Sequence, residues 1–276
     1  MFWCRSLVGI MIFRIASGLL RKLSPWVLSP ALTPLRVRVS VLSPSRALGL
    51  RALSALDRSL ENAIIRDSFP RIEYVIGCDE AGRGALAGPV VVAALACKPR
   101  SDGGLLLPGA ADSKMLSETQ REGLYEQIVR RPDAFAYNIA IVGPALIDEI
   151  NILQATMVGM QIAINDLALD LGASSAPPSS FYAIVDGNKT PSKLSVPGRP
   201  MVKADKQCYS VALASILAKV TRDRLMCGEY HDKWPQYKFA AHKGYPTKEH
   251  VLLIHQHGPS PIHRLSFKPL KGRASP

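Results

Sequence analysis

The sequence predicts an α/β domain whose sheet has about five strands and is flanked by helices. Short apolar runs rich in β-branched residues alternate along the chain with longer segments of helical periodicity. Two of the longer segments begin at a hydroxyl side chain suited to capping a helix. The chain has 276 residues, of which 47% are hydrophobic and 20% charged. This length and composition suffice for a globular core.

Five apolar runs are predicted to form the strands. The second run, PVVVAALAC, is nearly unbroken and is therefore expected to be buried on both faces of the sheet. The fourth run, FYAIV, leads directly into an aspartate. The predicted strands cover residues 72–78, 89–97, 134–142, 181–185 and 200–203.

Four helices are predicted between and after these strands. Ser117 and Gln120 have the spacing of a capping box, and Thr247 is placed to cap the last helix. The second helix is expected to break near Asn151. The predicted helices cover residues 117–131, 144–171, 208–229 and 247–256.

The basic charge of the chain is concentrated at its N-terminus. The net charge is +12, yet residues 1–56 contain eight basic residues and no acidic one, which leaves 26 basic and 22 acidic residues for the rest. Apolar residues recur at helical spacing between Ile12 and Leu23, mostly opposite basic residues. An amphipathic, Arg- and Ser-rich, acid-free segment is typical of a transit peptide, so residues 1–57 are interpreted as a mitochondrial presequence. The alternative is a basic tail that contacts nucleic acid, with a nuclear location.

The cysteines and the apolar runs exclude other classes of protein. The chain has five cysteines and no C-x-x-C pair, which argues against a zinc site or a disulfide framework and favours a reducing compartment. No apolar run approaches the roughly 20 residues of a membrane-spanning helix, so no membrane association is expected.

Acidic residues stand at the ends of three predicted strands. Asp79 and Glu80 follow the first strand, Asp186 follows the fourth, and Asp205 follows the fifth. Carboxylates gathered at one rim of a sheet suit Mg²⁺, and two ions about 4 Å apart can activate water and stabilise the leaving oxygen of a phosphodiester. The alternative, in which each acid caps a helix or forms a turn, remains open.

A glycine-rich segment connects the first acids to the second strand. Gly82, Gly84 and Gly88 allow close approach of the backbone and free its N–H donors for a phosphate or a sugar. Arg83 adds a cation suited to phosphate. The segment is not G-x-G-x-x-G followed by a helix, which disfavours a dinucleotide site. A hairpin that only reverses the chain is the alternative.

Several ordered motifs carry a resemblance to a known family. The run DEAGRGALAGPVVVAA at 79–94 is followed in order by seven further segments. Together they resemble ribonuclease HII, the type 2 ribonuclease H, over residues 70–270, and HGPSPIHR is more similar to the single-chain bacterial form. The resemblance implies a ribonuclease H-like fold with a mixed sheet and a small helical region from about residue 229. The seven segments are DSKMLS (112–117), INILQATMVGM (150–160), VDGN (185–188), KAD (203–205), SVALASILAKVTRDR (210–224), HKGYPTKEH (242–250) and HGPSPIHRLSF (257–267).

The resemblance also implies an activity and a cofactor. A ribonuclease HII hydrolyses the RNA strand of RNA–DNA hybrids and incises 5′ of single ribonucleotides in duplex DNA, leaving 3′-hydroxyl and 5′-phosphate ends. Matching motif to motif, the catalytic acids would be Asp79, Glu80, Asp186 and Asp205, which would hold two Mg²⁺ or Mn²⁺ ions. The implied partner is an RNA–DNA hybrid or ribonucleotide-containing DNA. No obligate protein partner is inferred, and a monomer is expected.

The same resemblance assigns the residues that recognise the substrate. Gly82, Arg83 and Gly84 would contact the ribose 2′-hydroxyl, the group that distinguishes RNA from DNA. Tyr245 would stack on the deoxyribose that follows the ribonucleotide. Without the motif, Tyr245 would be interpreted as a half-buried tyrosine of the core.

Four further residues are expected to contact the nucleic-acid backbone. Ser113 and Lys114 would lie beside the site, with a helix cap as the alternative for Ser113. Lys219 and Arg222 near the end of the long helix would contact phosphates, with a solvated helix face as the alternative. The C-terminal histidines lack the spacing of zinc ligands and are interpreted as phosphate contacts or packing.

Two other functions remain compatible with parts of the sequence. Another nuclease on a ribonuclease H-like fold, such as an integrase or a resolvase, would share the acids but would not explain the Gly-Arg-Gly segment or the HKGY motif. A protein that binds hybrid duplexes without cleaving them would not need all four acids.

Overall fold

A five-stranded mixed sheet is the centre of the computed structural model, which describes residues 56–68, 72–98, 107, 109, 113, 115–173 and 175–271. The predicted α/β fold class and its five strands are confirmed. The presequence predicted for residues 1–57 lies outside the described residues, apart from its last two. The strands are β1 (Tyr74–Ala81), β2 (Val90–Cys97), β3 (Phe135–Val142), β4 (Phe181–Asp186) and β5 (Gly198–Met201).

The order of the strands places β1 in the middle of the sheet. The order is β3-β2-β1-β4-β5. β1 pairs antiparallel with β2, and β2 pairs antiparallel with β3. On its other side β1 pairs parallel with β4, and β4 pairs parallel with β5. Every residue of β2 is buried, as its unbroken apolar sequence predicts.

The predicted helix signals coincide with the helices of the structure. Ser117 forms the complete capping box with Gln120, and the Thr247 hydroxyl accepts a hydrogen bond from the backbone of His250. Asn151 has a φ of 67° at the predicted break. The helices are α1 (Ser59–Asp67), α2 (Glu118–Val129), α3 (Pro144–Asp170), α4 (Tyr209–Cys227), α5 (Glu229–Lys233), α6 (Phe239–His242) and α7 (Lys248–His257).

Two helices cover the two faces of the sheet. Met160 and Ile164 of α3 pack in one core cluster with Ile76 of β1. Leu213 and Leu217 of α4 pack on the opposite face in a second cluster, which includes side chains of β2 and β3. Among the described helices, α3 is long and apolar enough to cross a membrane by length and composition alone, but its buried side chains pack on the sheet.

Two strand boundaries differ from the prediction. β1 continues to Ala81, so that Asp79 and Glu80 lie within the strand rather than after it. β5 begins and ends two residues earlier than predicted, because its partner β4 ends at Asp186, opposite Met201. Asp205 is therefore not at a strand end, and it lies in a 3₁₀ turn at residues 204–206 that follows Lys203, whose φ is 56°.

Helix α1 was not assigned from the sequence, and it supports the long helix α4. The buried carboxylate of Glu61 accepts hydrogen bonds from the backbone N–H of Ser210 at 2.8 Å and from the thiol of Cys208 at 3.3 Å. Cys208 itself provides no side-chain cap for α4. Glu61 therefore acts as a distant N-cap, with an acidic group at the positive end of the helix.

Substitution of Glu61 with alanine should destabilise the fold. Glu61→Ala leaves the buried N–H of Ser210 without its acceptor and removes one of two partners of the Cys208 thiol, and we expect the free energy of unfolding to fall by about 1–3 kcal/mol. Glu61→Gln keeps an acceptor oxygen and should lose less. The measurement is equilibrium unfolding in urea. The control is Glu73→Ala, an exposed residue before β1, which should change stability by less than about 0.5 kcal/mol. Equal losses for Glu61→Ala and Glu73→Ala would show that the contact adds no stability.

Candidate active site

The parallel pairing of β1 and β4 brings two of the predicted acids together. Cys78 of β1 lies opposite Val185 of β4. The next residues of the two strands, Asp79 and Asp186, therefore lie side by side. Alternation along the strands directs both side chains to the face covered by α4, whereas Glu80 points to the face covered by α3. The two aspartates therefore form the centre of the site, and Glu80 borders it from the other side of β1.

Asp79 is destabilised as an anion. Its side chain is only 6% exposed. Burial raises the pKa of Asp79 well above its usual range, and repulsion from Glu80 and Asp186 adds to the increase. Hydrogen bonds from the backbone of Glu80 and from the Ser215 hydroxyl act in the opposite direction. An incoming cation would remove the repulsion, which is the electrostatic condition that a metal site requires.

Two buried serines are linked to Asp79 by hydrogen bonds. The hydroxyl of Ser215, on α4, lies 2.7 Å from that of Ser113, and both side chains are buried. Ser113 was predicted to contact the nucleic-acid backbone, but its hydroxyl is instead engaged inside the protein, in the chain that leads to Asp79. Sequence reasoning missed Ser215, although Ser215, Lys219 and Arg222 have the i, i+4, i+7 spacing of one helix face.

Asp186 holds the turn that contains the fourth predicted acid, Asp205. One of its carboxylate oxygens accepts a 2.7 Å hydrogen bond from the backbone N–H of Ala204, the first residue of the 3₁₀ turn. The next residue, Asp205, is 4% exposed. Asp205 thus lies in a turn held by Asp186, and not at the end of a strand.

The four acids suit a hard cation in their chemistry, but they are not a closed set of ligands. Across the described ranges, no three His, Cys, Asp or Glu side chains lie close enough together to form a metal site as they stand. Glu80 and Asp186 nevertheless each repel the Asp79 carboxylate electrostatically. Oxygen ligands with excess negative charge fit Mg²⁺ or Mn²⁺, which retain waters and take additional ligands from a substrate phosphate.

The glycine-rich segment follows β1 directly and turns sharply over α4. Gly82 has a φ of 95°, and a Cβ atom there would lie 2.0 Å from Nε of Arg222. Only glycine fits this position, because both the conformation and the space exclude a side chain. Arg83 remains 51% exposed and its guanidinium lies 3.2 Å from Glu80. The predicted loop therefore presents its backbone and one arginine beside the acids.

The HKGY motif, residues 242–245, lies against this loop. The carbonyl of Gly244 accepts hydrogen bonds from the backbone of Leu86 at 2.8 Å and of Ala87 at 3.3 Å. Gly244 has a φ of 77°, and a Cβ atom there would lie 2.6 Å from the carbonyl oxygen of Ala87. Two motifs more than 150 residues apart in sequence thus form one continuous backbone surface.

Arg222 has a different role from the predicted phosphate contact. Its side chain is fully buried, and its guanidinium donates to the carbonyls of Pro89, Ala87 and Lys243 at 2.9–3.0 Å. Because its nitrogens are occupied by the backbone, Arg222 holds the loop to the HKGY motif and does not face a phosphate. The prediction of a substrate contact at Arg222 is therefore wrong.

Arg264 is a second buried arginine that holds the glycine-rich segment, and the sequence analysis missed it. It donates to the carbonyl of Gly88 at 2.9 Å and to that of Arg83 at 3.0 Å. Burial and the nearby charge of Arg222 lower the pKa of Arg264 to about 9. The sequence signal for Arg264 is the HR pair in the HGPSPIHRLSF segment. A solvent-exposed arginine would account for this pair equally well.

Tyr245 lies at the edge of the same surface and is partly exposed. The guanidinium carbon of Arg222 is 5.1 Å from the centre of its ring, and Nζ of Lys219 is 5.5 Å away. Lys219 also pairs with Asp223 at 2.8 Å. Both distances are suited to a cation–π contact with the ring. The side chain of Lys219 is 26% exposed. Lys114, the remaining predicted contact, lies outside the described residues.

The fold and the site define the class of protein. The ribonuclease H2 structure from Pyrococcus horikoshii OT3 matches with a TM-score of 0.52 and 26% identity, covering 71% of this chain and 95% of that one. The architecture is therefore that of a ribonuclease H-like fold, with acidic residues at adjacent parallel strands. A model of the ribonuclease HII family matches residues 76–270.

The chain belongs to the ribonuclease HII family. The ribonuclease HII of Xanthomonas campestris pv. campestris strain 8004 is 43% identical over 229 residues, which cover 79% of this chain and 88% of that protein. That of Caldicellulosiruptor bescii is 41% identical over 208 residues, 75% and 91% of the two chains. That of Polynucleobacter asymbioticus is 44% identical over 198 residues, 72% and 94% of the two chains. The predicted family and enzyme class, a ribonuclease H, are confirmed.

Proposed function

We propose that this ribonuclease H cleaves the RNA strand of RNA–DNA hybrids and also incises 5′ of a single ribonucleotide embedded in duplex DNA. The observation that carries the proposal is the continuous surface formed by the aspartate pair, the Gly-Arg-Gly loop and Tyr245. Water would attack the phosphorus, the bond from phosphorus to the 3′-oxygen would break, and the products would carry 3′-hydroxyl and 5′-phosphate ends.

The acids would hold two divalent metal ions. Asp79, Glu80, Asp186 and Asp205 provide hard oxygen ligands, and the mutual repulsion at Asp79 favours binding of Mg²⁺ or Mn²⁺. When bound, such ions activate the attacking water and stabilise the leaving oxygen of a phosphodiester. The chain itself contributes the rigid strand that carries Asp79 and the hydrogen bond from Ser215 that orients its carboxylate.

The glycine loop and Tyr245 would read two adjacent sugars. The backbone of Gly82, Arg83 and Gly84 would accept or donate to the 2′-hydroxyl of the ribonucleotide. The exposed guanidinium of Arg83 would approach a phosphate. The ring of Tyr245 would pack on the next sugar, where a 2′-hydroxyl would interfere and a deoxyribose would fit. Lys219 would lie near the phosphate between them.

Removing one carboxylate should abolish cleavage while the fold persists. We expect Asp79→Asn and Asp186→Asn to lower kcat/KM by about 1,000-fold or more, equivalent to ~4 kcal/mol, because each removes a charged ligand. Binding of the duplex should weaken much less, since cationic side chains supply most affinity for phosphates. The measurement is cleavage of a hybrid and of a duplex with one ribonucleotide, with Mg²⁺ or Mn²⁺ and no other protein.

The controls for this experiment separate the alternatives. Asp170→Asn, at the exposed end of α3, should retain full activity. Equal cutting of an all-DNA duplex would favour a resolvase-like nuclease, and no cutting by the unmodified chain would favour a binding protein. Near-normal activity of both aspartate variants would remove these acids from catalysis. The expected monomer has no obligate protein partner, so the purified chain should be active by itself.

Tyr245 should contribute mainly to junction selectivity. Loss of a stacking contact costs roughly 1–3 kcal/mol, or about ten- to a hundredfold in rate. We expect Tyr245→Ala to lose activity on a single embedded ribonucleotide more than on a long hybrid. Tyr245→Phe retains the ring and should retain most activity. The decisive quantity is the ratio of kcat/KM for the two substrates, and an unchanged ratio for Tyr245→Ala would return this tyrosine to a structural role.

We also propose that the chain is imported into mitochondria. The supporting observation is the acid-free, basic and amphipathic character of residues 1–57. These residues fused to a fluorescent reporter should direct it to mitochondria, and a matched fusion with Arg14→Glu and Arg21→Glu should not. A diffuse or nuclear signal from the unmodified fusion would reject the presequence.

A further inference from the structure

Three buried histidines lie together, and one of them, His242, is the first residue of the HKGY motif. His242 belongs to α6, His250 to α7, and His263 to the segment that follows α7. The rings of His242 and His250 stack with centroids 4.2 Å apart, and the ring of His263 is 5.2 Å from that of His250. The edge-on ring of Phe239 borders His250. None of the three can contact a phosphate directly, because all are at most 8% exposed.

The hydrogen bonds at the two ends of this cluster fix its protons. Nδ1 of His263 lies 2.8 Å from the backbone N–H of Ser260, which can only donate. Nδ1 of His250 lies 2.9 Å from the carbonyl oxygen of Tyr245, which can only accept. The two Nε2 atoms are 3.1 Å apart. His263 therefore carries its proton on Nε2 and donates it to Nε2 of His250, which carries its own proton on Nδ1.

The result is a chain of hydrogen bonds that all point in one direction, with a single arrangement of the protons. It runs from the backbone of Ser260 through His263 and His250 to the carbonyl of Tyr245. An added proton would place two N–H groups against each other between the imidazoles. Burial accordingly lowers the pKa of His250 to about 4 and that of His263 to about 3, which keeps both rings neutral.

The backbone before Tyr245 needs this support. Lys243 has a φ of 52° and Gly244 a φ of 77°, so two successive residues are left-handed. A left-handed residue other than glycine is disfavoured, and it persists only where its surroundings determine it. His242 accepts a hydrogen bond from the N–H of Gly244 on one side of Tyr245, and His250 holds the carbonyl on the other.

We propose that Ser260, His263 and His250 form a relay of positioning residues that fixes the main chain at Tyr245 and thereby orients its ring for junction selectivity. This inference rests on the proposed role of Tyr245 in reading the sugar. The relay itself touches no substrate. It connects the C-terminal segment to a single peptide group of the recognition surface.

Two substitutions of His250 separate a hydrogen-bonding role from packing. His250→Phe keeps an aromatic ring but removes the donor to Tyr245. It should lower the single-ribonucleotide to hybrid ratio of kcat/KM about tenfold, the equivalent of one buried hydrogen bond. His250→Asn places an amide nitrogen near the position of Nδ1 and should restore most of that ratio. His257→Asn, an exposed histidine of the same helix, is the matched control and should leave the ratio unchanged.

A spectroscopic measurement tests the relay independently of activity. Nitrogen-15 NMR of the imidazoles at neutral pH should show His250 protonated at Nδ1 and His263 protonated at Nε2. The opposite tautomer at either ring overturns the relay. Equal ratios for His250→Phe and the unmodified chain overturn its role in selectivity.

A double variant distinguishes this proposal from the assignment of Tyr245. In a Tyr245→Ala background, His250→Phe should have no further effect on the ratio, because the ring that the relay orients is absent. An additional loss in that background would show that His250 acts elsewhere, and it overturns the proposal. If Tyr245→Ala alone leaves the ratio unchanged, the proposed role of Tyr245 fails, and the link to selectivity fails with it. The tautomers still decide whether the relay exists.

Discussion

The buried guanidinium of Arg222 is the contact on which the recognition surface depends. It lies on α4, the helix that also carries Ser215 to the aspartates, and it donates to backbone carbonyls of the glycine loop and of Lys243. A planar group with five donors can join two loops in a fixed relative position, which a lysine could not do. The same side chain supports the ring of Tyr245. One helix therefore sets the distance between the acids and the proposed sugar-reading loops.

The two sides of the site bury charge in opposite ways. On the acidic side, burial and repulsion destabilise the Asp79 anion, so that the unliganded state is suited to binding a cation. On the basic side, Arg222 and Arg264 are completely buried, and five of their six guanidinium nitrogens donate to main-chain carbonyls, whereas Nη2 of Arg264 has no hydrogen-bond partner. Buried charges without such partners are strongly destabilising. The basic side is thus stabilised by the protein itself, whereas the acidic side would be stabilised by a bound cation.

The sequence predicted the fold better than it predicted the roles of the charged residues. Apolar runs and capping patterns located the strands, the helices and the break at Asn151, because these signals are local. The turn that carries Asp205 was misplaced, since the end of β5 is determined by pairing with β4. Arg222 was interpreted as a phosphate contact because arginine is rarely buried. Helical spacing grouped it with Ser215, but spacing alone does not reveal whether a face meets solvent or two packed loops.

The fit of Gly82 against Arg222 also constrains how the sequence can change over evolution. A side chain at position 82 collides with the guanidinium, and shortening the arginine would remove this collision but not the strain of a φ of 95°. Shortening the arginine first would leave the carbonyls of Pro89, Ala87 and Lys243 without their donor. A change at either position therefore disturbs the contact between the glycine loop and α4. We therefore expect Gly82 and Arg222 to be retained together even where residues of the surrounding surface are substituted.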